Sequence, residues 1–203
     1  MLQPLPATGL MSGHISSTTE STRRRLTTRQ ADTVRRLAEA ALDEVRESGY
    51  ENFTIRDVAR RAGVAAATAY TYFGSKDHLL TEIFWRRLSG LPPFASPVTT
   101  SKAARRRAVI AVLQELALLV SDEPELAAGC TAAMFGSEPD VRQLCVHIGR
   151  RIHERLESAA GHGPEARLLE LAYFGAMVEA GLGDTTYGHM ADRLAEAAEL
   201  IMR

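Results

Sequence analysis

The segment Phe53–Leu80 constrains the fold of this 203-residue chain more than any other. Its beginning predicts a short helix over Thr54–Ala62, because the threonine hydroxyl can accept a hydrogen bond from a backbone N–H of the first helical turn. Gly63 can end this helix, since glycine readily adopts the positive φ that a sharp turn requires. The residues Ala65–Tyr72 then predict a second short helix. Two short helices joined by such a turn are typical of a helix-turn-helix.

Helical periodicity continues on both sides of this motif. Apolar residues spaced by three and four predict an amphipathic helix over Arg29–Ser48, with Gly49 placed to end it. Ser75 can cap a further helix, from Lys76 to about Leu91. Similar patterns predict more helices, over Lys102–Val120, Glu123–Phe135, Asp140–Ala159, Glu165–Leu182 and Tyr187–Met202. No strand pattern of useful length is present in the sequence, so an all-α fold is predicted, with the later helices packed as a bundle.

The composition changes along the chain and suggests domain boundaries. The first residues are rich in Ser, Thr, Pro and Gly without an apolar period, which predicts a disordered tail; within it, Met11 is an alternative start to Met1. Pro92, Pro93 and Pro97 indicate a linker. The predicted segments are the tail, a three-helix domain with the helix-turn-helix, a connecting helix and a C-terminal domain, at residues 1–28, 29–75, 76–91 and 98–203.

The sequence disfavours several classes of protein. No apolar run approaches the roughly 20 residues that span a bilayer, and the N-terminal region lacks a signal-peptide pattern. We therefore expect a cytoplasmic protein without a membrane partner. Cys130 and Cys145 form no Cys-x-x-Cys pair, and His147 and His153 do not share a helix face, so neither a metal nor a cofactor is expected. The motifs of common hydrolases and nucleotide-binding enzymes are missing from the sequence, so no catalytic residues are expected.

The overall charge of −1 hides an uneven distribution. Residues 1–90 carry 13 Lys and Arg against 10 Asp and Glu, whereas residues 91–203 carry 11 against 15. A basic excess attracts the phosphates of nucleic acids, and here it coincides with the helix-turn-helix. A solvated helix face often has a similar excess, so the charge supports DNA binding only together with the motif.

The sequence TIRDVARRAGVAAATAYTYFGSKDHLL, which begins at Thr54, resembles the N-terminal domain of the TetR family of transcriptional repressors. The resemblance covers residues 30–90 and depends on the joint spacing of its parts. Two departures fall in the second helix of the motif. Ala65 stands where the family usually has Ser or Thr, so this helix lacks a side-chain cap, at a cost of about 1 kcal/mol. Ala69 stands where Leu is common, which bears on the tilt of the helix and so on the bases it contacts.

The resemblance implies that the motif reads double-stranded DNA. One group of side chains resembles residues that bind phosphates: Thr54, Thr68, Tyr72 and Lys76. A second group resembles residues that face base edges or adjacent phosphates: Arg56, Ala67, Tyr70 and Thr71. Arginine can bind guanine through two hydrogen bonds, which makes Arg56 the best candidate for a base contact. A merely solvated Arg56 and an internally packed Tyr70 are the alternatives.

The resemblance also implies a homodimer, because two-fold symmetry places two reading helices about 34–36 Å apart on a pseudo-palindromic operator. The dimer interface is expected on the last two long helices, at Leu171, Gly175, Val178, Leu194, Ala198 and Ile201. Small residues in these helices would let the two copies approach closely. The alternative is that these residues line the core of a single copy.

A ligand pocket in the C-terminal domain is a further implication of the resemblance. The candidate lining residues are Leu116, Met134, Phe135, His147, Phe174 and Met177, and the alternative for each is ordinary core. Their aromatic and methionine content favours an apolar or amphipathic ligand. The expected function is that of a sequence-specific repressor released from DNA by an unidentified small-molecule effector. A DNA-binding module that has no effector, or that a protein partner regulates, is the alternative.

Overall fold

A computed structural model of the chain describes residues 27–94, 101–182 and 185–203. Within these ranges all regular secondary structure is helical, as predicted. The tail predicted at residues 1–28 lies outside the described residues, apart from its last two. None of the described helices is long and apolar enough to cross a membrane.

The helices lie where the periodicity predicts them, with ends that differ by a few residues. In the described ranges they are α1 (Thr28–Asn52), α2 (Ile55–Arg61), α3 (Ala66–Tyr72), α4 (Lys76–Gly90), α5 (Lys102–Leu118), α6 (Pro124–Met134), α7 (Pro139–Ala160), α8 (Pro164–Leu182) and α9 (Met190–Ile201). The last helix was expected from Tyr187. A 3₁₀ turn, Tyr187–His189, stands there instead and leads into α9.

Local capping explains where the helices of the motif begin and end. Thr54 and Ser75 each accept a hydrogen bond from the backbone N–H three residues on, at 3.3 and 3.0 Å. Ala65 has no side-chain hydrogen bond to offer at the start of α3. Gly63 has a φ of 62° in the turn between α2 and α3. Gly49 has a φ of 76°, so the regular part of α1 ends just before it, as predicted.

The helices form two packed groups. In the N-terminal group α1 packs against α2 and α4, and α3 packs against α2. In the C-terminal group α5 packs against α7 and α9, and α8 packs against α6, α7 and α9. Each helix buries its apolar face on its neighbours, as in other helical bundles.

Helix α4 belongs to both groups. It packs against α1 on one side, and against α6 and α7 on the other. Helix α6 also contacts α1. One continuous cluster of buried apolar side chains consequently runs through both groups. The connecting helix is therefore part of a shared core, so a movement of α4 or α6 would be felt by the helix-turn-helix.

Candidate DNA-binding surface and ligand cavity

Helix α3 has one face on the core and one in solvent. Ala69 is buried, whereas Ala67, Thr68, Tyr70 and Thr71 are exposed. Positions three and four apart share a helix face, so the exposed residues form one continuous surface. The alternative for Tyr70, internal packing, is not seen, because 46% of its surface is exposed. This surface is slim, as insertion into a major groove about 12 Å wide requires.

Tyr72, also expected to bind DNA, lies at the end of α3. It is half-buried and packs against the core, with its ring centroid 6.5 Å from that of Phe73. The hydroxyl of Thr71 donates to the carbonyl oxygen of Ala67 at 2.9 Å. The side chains of Tyr72 and Thr71 therefore already have contacts within the protein.

The three arginines of α2 have different surroundings. Arg60 pairs with Asp57 at 2.7 Å. Arg61 pairs with Glu44, at 2.8 Å, and with Glu47, and these partners raise the pKa of the Arg61 guanidinium. Arg56 is exposed and has no such partner among the described residues. It is thus the arginine of α2 that is free to bind something outside the protein.

The turn of the motif is fastened by Arg36, which sequence reasoning missed. Its guanidinium, on α1, donates to the carbonyl oxygen of Ala62 and, at 3.2 Å, to that of Gly63. No local pattern marks this role, because the partners lie 26 and 27 residues further along the chain. Arg36 thereby ties the angle between α2 and α3 to α1.

Lys76 and Thr54, both expected to bind phosphate, make contacts within the protein. The ammonium of Lys76 donates to the carbonyl oxygens of Tyr50, at 2.8 Å, and Glu51, at 3.1 Å, and lies 4.5 Å from the centroid of the Tyr50 ring. The hydroxyl of Thr54 donates to the Asp57 carboxylate at 2.6 Å, and this bond lowers the pKa of that carboxyl. Both residues therefore also brace the motif.

Three of the predicted contacts nevertheless come together in space. Thr54, Tyr70 and Lys76 line a single cleft of about 280 Å³ between the end of α1 and the starts of α2 and α4. We call this the DNA-side cleft. Its position beside the exposed face of α3 fits a groove edge, where a phosphate would lie.

A larger cavity of about 550 Å³ lies among α4, α6, α7 and α8. It falls within the range of about 300–1,000 Å³ that is usual for small-molecule sites. Three residues predicted to line a ligand pocket do so: Met134, Phe174 and Met177. The cavity is therefore the candidate effector site.

The other three predicted lining residues are not in the cavity wall. Leu116 is fully buried on α5, where its carbonyl oxygen accepts a hydrogen bond from Tyr173 at 3.5 Å. Phe135 caps α6 and is 74% exposed. His147 has its ring centroid 6.2 Å from that of Trp85. Periodicity shows which face of a helix is apolar, but it does not show which residues of that face pack closely and which border a cavity.

The wall contains residues that the sequence did not single out. Thr81 and Phe84 contribute from α4, and the hydroxyl of Thr81 is buried without a hydrogen-bond partner. Glu170 on α8 is buried, and its Oε2 accepts hydrogen bonds from Arg167 at 2.8 Å and from His153 at 3.0 Å. In the sequence, only the three-residue spacing of Arg167 and Glu170 could have indicated that these two side chains form an ion pair.

Both cysteines also line this cavity. Cys130 is buried and Cys145 is half-buried, and burial raises the pKa of both thiols above the ordinary value. They are consequently protonated and poorly nucleophilic at neutral pH. Among the described residues, no group of three or more His, Cys, Asp and Glu side chains is placed to hold a metal ion.

Helix α6 connects the cavity wall to the N-terminal helices. Cys130 and Met134 face the cavity, whereas Gly129 lies against Tyr50 and Leu80. The Tyr50 hydroxyl donates to Asp77 on α4 at 2.7 Å. This close contact among α1, α4 and α6 is hereafter called the junction.

A buried carboxylate strengthens the junction. Glu123, at the start of α6, pairs with Arg46 of α1 and, at 3.2 Å, with Arg87 of α4. Hydrogen bonds from Arg46, and then from Arg87, lower the pKa of the Glu123 carboxyl. One side chain thus joins three helices.

The expected dimer residues divide into two groups. Leu194 and Ala198 are buried inside the protomer, because α9 turns that face onto α5 and α8. Their assignment to the dimer interface is therefore wrong for this arrangement. Leu171 and Gly175 are exposed, and Val178 and Ile201 are half-buried.

The apolar residues along the outer face of α8 follow a seven-residue repeat. They are Leu168, Leu171, Gly175, Val178 and Leu182, spaced alternately by three and four. A helix with such a stripe normally packs against another helix. A side chain added at Gly175 would meet no atom of the protomer within 4 Å, so the stripe is open at its centre.

The sequence is similar to those of known regulators. Residues 37–83 match the family model described as bacterial regulatory proteins, tetR family. Over 179 residues the chain is 44% identical to an uncharacterized HTH-type transcriptional regulator of Mycobacterium tuberculosis (strain ATCC 25618 / H37Rv), a match that covers 86% of this chain and 82% of the relative. It is 25% identical over 134 residues to the HTH-type transcriptional repressor KstR of Mycolicibacterium smegmatis, covering 66% of each chain.

The fold is also similar to that of a solved structure. The crystal structure of a TetR transcriptional regulator from Rhodococcus sp. RHA1 matches with a TM-score of 0.66 at 23% sequence identity. The match covers 86% of this chain and 97% of that chain. At this level of identity the likeness concerns the arrangement of the helices.

Proposed function

Because the chain belongs to the TetR family of bacterial regulatory proteins, we propose that it is a repressor which binds a pseudo-palindromic operator as a homodimer and is released by a small, largely apolar effector. It is a transcriptional regulator with a DNA-binding helix-turn-helix, and not an enzyme. One observation carries the proposal of release by an effector. Helix α4 begins at the DNA-side cleft, with Lys76, and lines the cavity within the next two to three turns, with Thr81 and Phe84.

The exposed face of α3 and Arg56 make the DNA contacts. Thr68, Tyr70 and Thr71 offer hydroxyls to phosphates and base edges, and the methyl group of Ala67 offers an apolar contact to thymine. Arg56 binds a guanine edge. Thr54, Tyr72 and Lys76 bind phosphates at the edge of the groove. Thr54 and Lys76 give up part of their hydrogen bonding within the protein to do so.

The homodimer forms through the apolar stripe on α8, together with the exposed end of α9 near Ile201. A single α3 contacts too few base pairs for high specificity, and a two-fold axis doubles the site. The exposed Leu171 and the open space at Gly175 support this interface.

The effector acts by shifting a population of dimers. A ligand in the cavity presses on α4 and α6, which also form the junction with α1. It favours dimers whose reading helices are too far apart to enter successive major grooves. The sole tryptophan of the chain, Trp85, lies half-buried on α4 and reports on this movement.

Selection of bound fragments from random double-stranded DNA tests the proposal. Recovery of a short inverted repeat with half-sites one helical turn apart is expected. Recovery of no shared sequence would contradict specific recognition. Recovery of a single half-site would contradict the symmetric dimer.

Titration of the DNA complex with candidate effectors then tests the switch. An effector that raises the unfolding temperature and changes Trp85 fluorescence should also release the operator. A compound that fills the cavity without changing DNA affinity would support the alternative, a module without a small-molecule effector.

A further inference from the structure

The candidate effector cavity has a charged end and an apolar end. Along α8 the wall changes from Arg167 and Glu170 to Phe174 and Met177. The rise of an α-helix is 1.5 Å per residue, so the change extends over about 15 Å. The wall residues with ionisable nitrogen or carboxylate groups all lie at one end of this length.

Helix α7 runs antiparallel to α8 and repeats the same gradient. His153 lies 3.0 Å from Glu170, and a side chain added at Gly149 would lie 3.8 Å from Phe174 and 3.9 Å from Oε1 of Glu170. Arg150, the next residue, therefore lies at the inner edge of the charged end, whereas Cys145 is toward the apolar end. Two independent helices thus place their charges at the same end of the cavity.

The charged end has a cationic surplus. Arg150 and Arg167 line it, and Glu170 is the carboxylate in the wall. Arg167 and His153 both contact Oε2 of Glu170, and Arg167 balances its negative charge. The nearest carboxylate to Arg150 is that of Glu154, at 4.0 Å, too far for a direct hydrogen bond.

The opposite end is apolar and belongs to the helices of the junction. Phe84 of α4 and Cys130 and Met134 of α6 line it, together with Met177. The hydroxyl of Thr81 on α4 is the unpaired polar group on this side. Apolar walls of this kind bind a hydrocarbon through the area that it removes from water.

Building on the proposed function, we propose that the effector is an elongated amphiphile with an anionic head group, a carboxylate or a phosphate. The head group binds between Arg150 and Arg167, and the hydrocarbon runs toward α4 and α6. Guanidinium groups bind these anions through paired hydrogen bonds. A cationic head group is disfavoured there, because two guanidinium groups line this end against one carboxylate.

In this orientation one end of the ligand determines its affinity for the protein, and the other end determines whether the protein is released from DNA. The head group contacts α7 and α8, which pack mainly within the C-terminal group and against α4. The end of the chain contacts α4 and α6, which pack directly against α1. A short anion therefore occupies the charged end without moving the junction. A longer chain fills the apolar end and shifts α4 and α6.

Binding of matched probes tests the head group. Dodecanoate, dodecyl phosphate and dodecanol, each below its aggregation limit, are titrated into the full-length protein while the unfolding temperature and Trp85 fluorescence are followed. At least one of the two anions should bind more tightly than dodecanol, by about tenfold or more, and the tighter of the two identifies the head group. Equal affinity for dodecanol and both anions would overturn the proposal.

Variants of the two arginines locate the head group. Arg150→Gln and Arg167→Gln should each weaken binding of the anion by about tenfold and leave dodecanol unchanged. Both side chains are more than half exposed, so the variants should fold. Arg151→Gln is the matched control, since Arg151 is on the same helix but outside the cavity wall. An equal loss in the control, or no loss in either variant, would overturn the assignment.

Chain length tests the orientation and keeps this inference distinct from the proposed function. Hexanoate should bind without releasing the operator fragment, whereas dodecanoate should release it. Release by hexanoate at equal occupancy would contradict the orientation. If dodecanoate binds through both arginines but DNA affinity stays the same, the ligand class stands and the repressor switch fails.

Discussion

Arg56, Arg60 and Arg61 are near neighbours on α2, yet their side chains have different roles. Arg60 and Arg61 are held by carboxylates within the protein, whereas Arg56 extends into solvent without one among the described residues. An arginine that binds a base must lose its hydration. An arginine already paired with a carboxylate would also have to break that ion pair. The structure therefore strengthens the case for Arg56 as the base contact.

Replacing Arg56 tests this role directly. Arg56→Ala should weaken binding to the best operator by about 1–3 kcal/mol and relax the preference at one base pair. Binding is measured by fluorescence anisotropy on operators that differ at single positions. Arg60→Ala is the matched control, because it removes another exposed arginine of the same helix. A uniform loss at all positions would make Arg56 a phosphate contact instead.

Lys76 combines two roles that a single variant can separate. Lys76→Ala should weaken binding to every DNA sequence and reduce the slope of log affinity against log salt by about 1. It should also lower the unfolding temperature, because the ammonium binds the carbonyl oxygens of Tyr50 and Glu51 at the end of α1. A lower unfolding temperature with an unchanged salt slope would show that Lys76 only braces the motif.

At the scale of secondary-structure elements, the approach of α6 to α1 and α4 depends on one glycine. A side chain added at Gly129 would lie 2.9 Å from the Tyr50 ring and closer still to Leu80. Both neighbours are packed in the junction, so neither can move freely. Glycine therefore sits within α6 despite its unfavourable helix propensity.

Gly129→Ala should destabilise the protein by about 1–3 kcal/mol through overpacking, although alanine is the better helix former. Gly90→Ala, at the end of α4, has no atom within 4 Å of the added carbon and should be neutral or stabilising. Urea unfolding of both variants measures the difference. Equal stability of the two variants would mean that α6 does not pack tightly on the junction.

The Glu123 ion pairs make the junction sensitive to acid. The pKa of its carboxyl is below the usual 4.5, first because of the hydrogen bond from Arg46 and second because of Arg87. A carboxyl whose pKa is lower in the folded state adds stability above the unfolded pKa and loses it as the pH falls through the folded value. Glu123 should thus stabilise the junction at neutral pH.

Glu123→Gln should lower the free energy of unfolding at pH 7 by about 1–3 kcal/mol, and the difference from the parent protein should shrink below about pH 4.5. Urea unfolding at several pH values measures it. Glu39→Gln is the control, because Glu39 forms an exposed pair with Arg35 that contributes little. A difference that is constant across this pH range would assign the effect to packing.

At the scale of the whole molecule, the exposed stripe of α8 supports the proposed homodimer. Leu171 and Leu182 are 54% and 74% exposed on a helix whose other face is buried. Contiguous apolar surface of this kind marks an interaction site. A second copy related by a two-fold axis would cover it with the same stripe.

If the proposed homodimer forms through this stripe, Leu171→Glu should convert it to a monomer and abolish tight operator binding while leaving the fold intact. Light scattering after gel filtration measures the mass, and circular dichroism checks the helices. Leu118→Glu, an equally drastic change at an exposed leucine of α5, should leave the mass unchanged. A Leu171→Glu protein that remains dimeric would place the interface elsewhere.

The sequence by itself determined the helices, the helix-turn-helix and the family. These follow from interactions within three or four residues: the caps at Thr54 and Ser75, the positive φ at Gly63, and the apolar spacing along each helix. The exposed face of α3 was also predictable, because 3.6 residues per turn fix which positions share a face. Local patterns contain all of this information.

Only the tertiary structure decided which of these faces meet. Arg36 fastens the turn and Glu123 joins three helices through partners 26 to 77 residues away. The charged end of the cavity forms where α7 and α8 bring His153 and Glu170 together. Leu194 is covered because α5 packs against α9, whereas Leu171 is exposed. Periodicity assigns a side chain to a face of its helix, but the partner of that face depends on how distant helices pack.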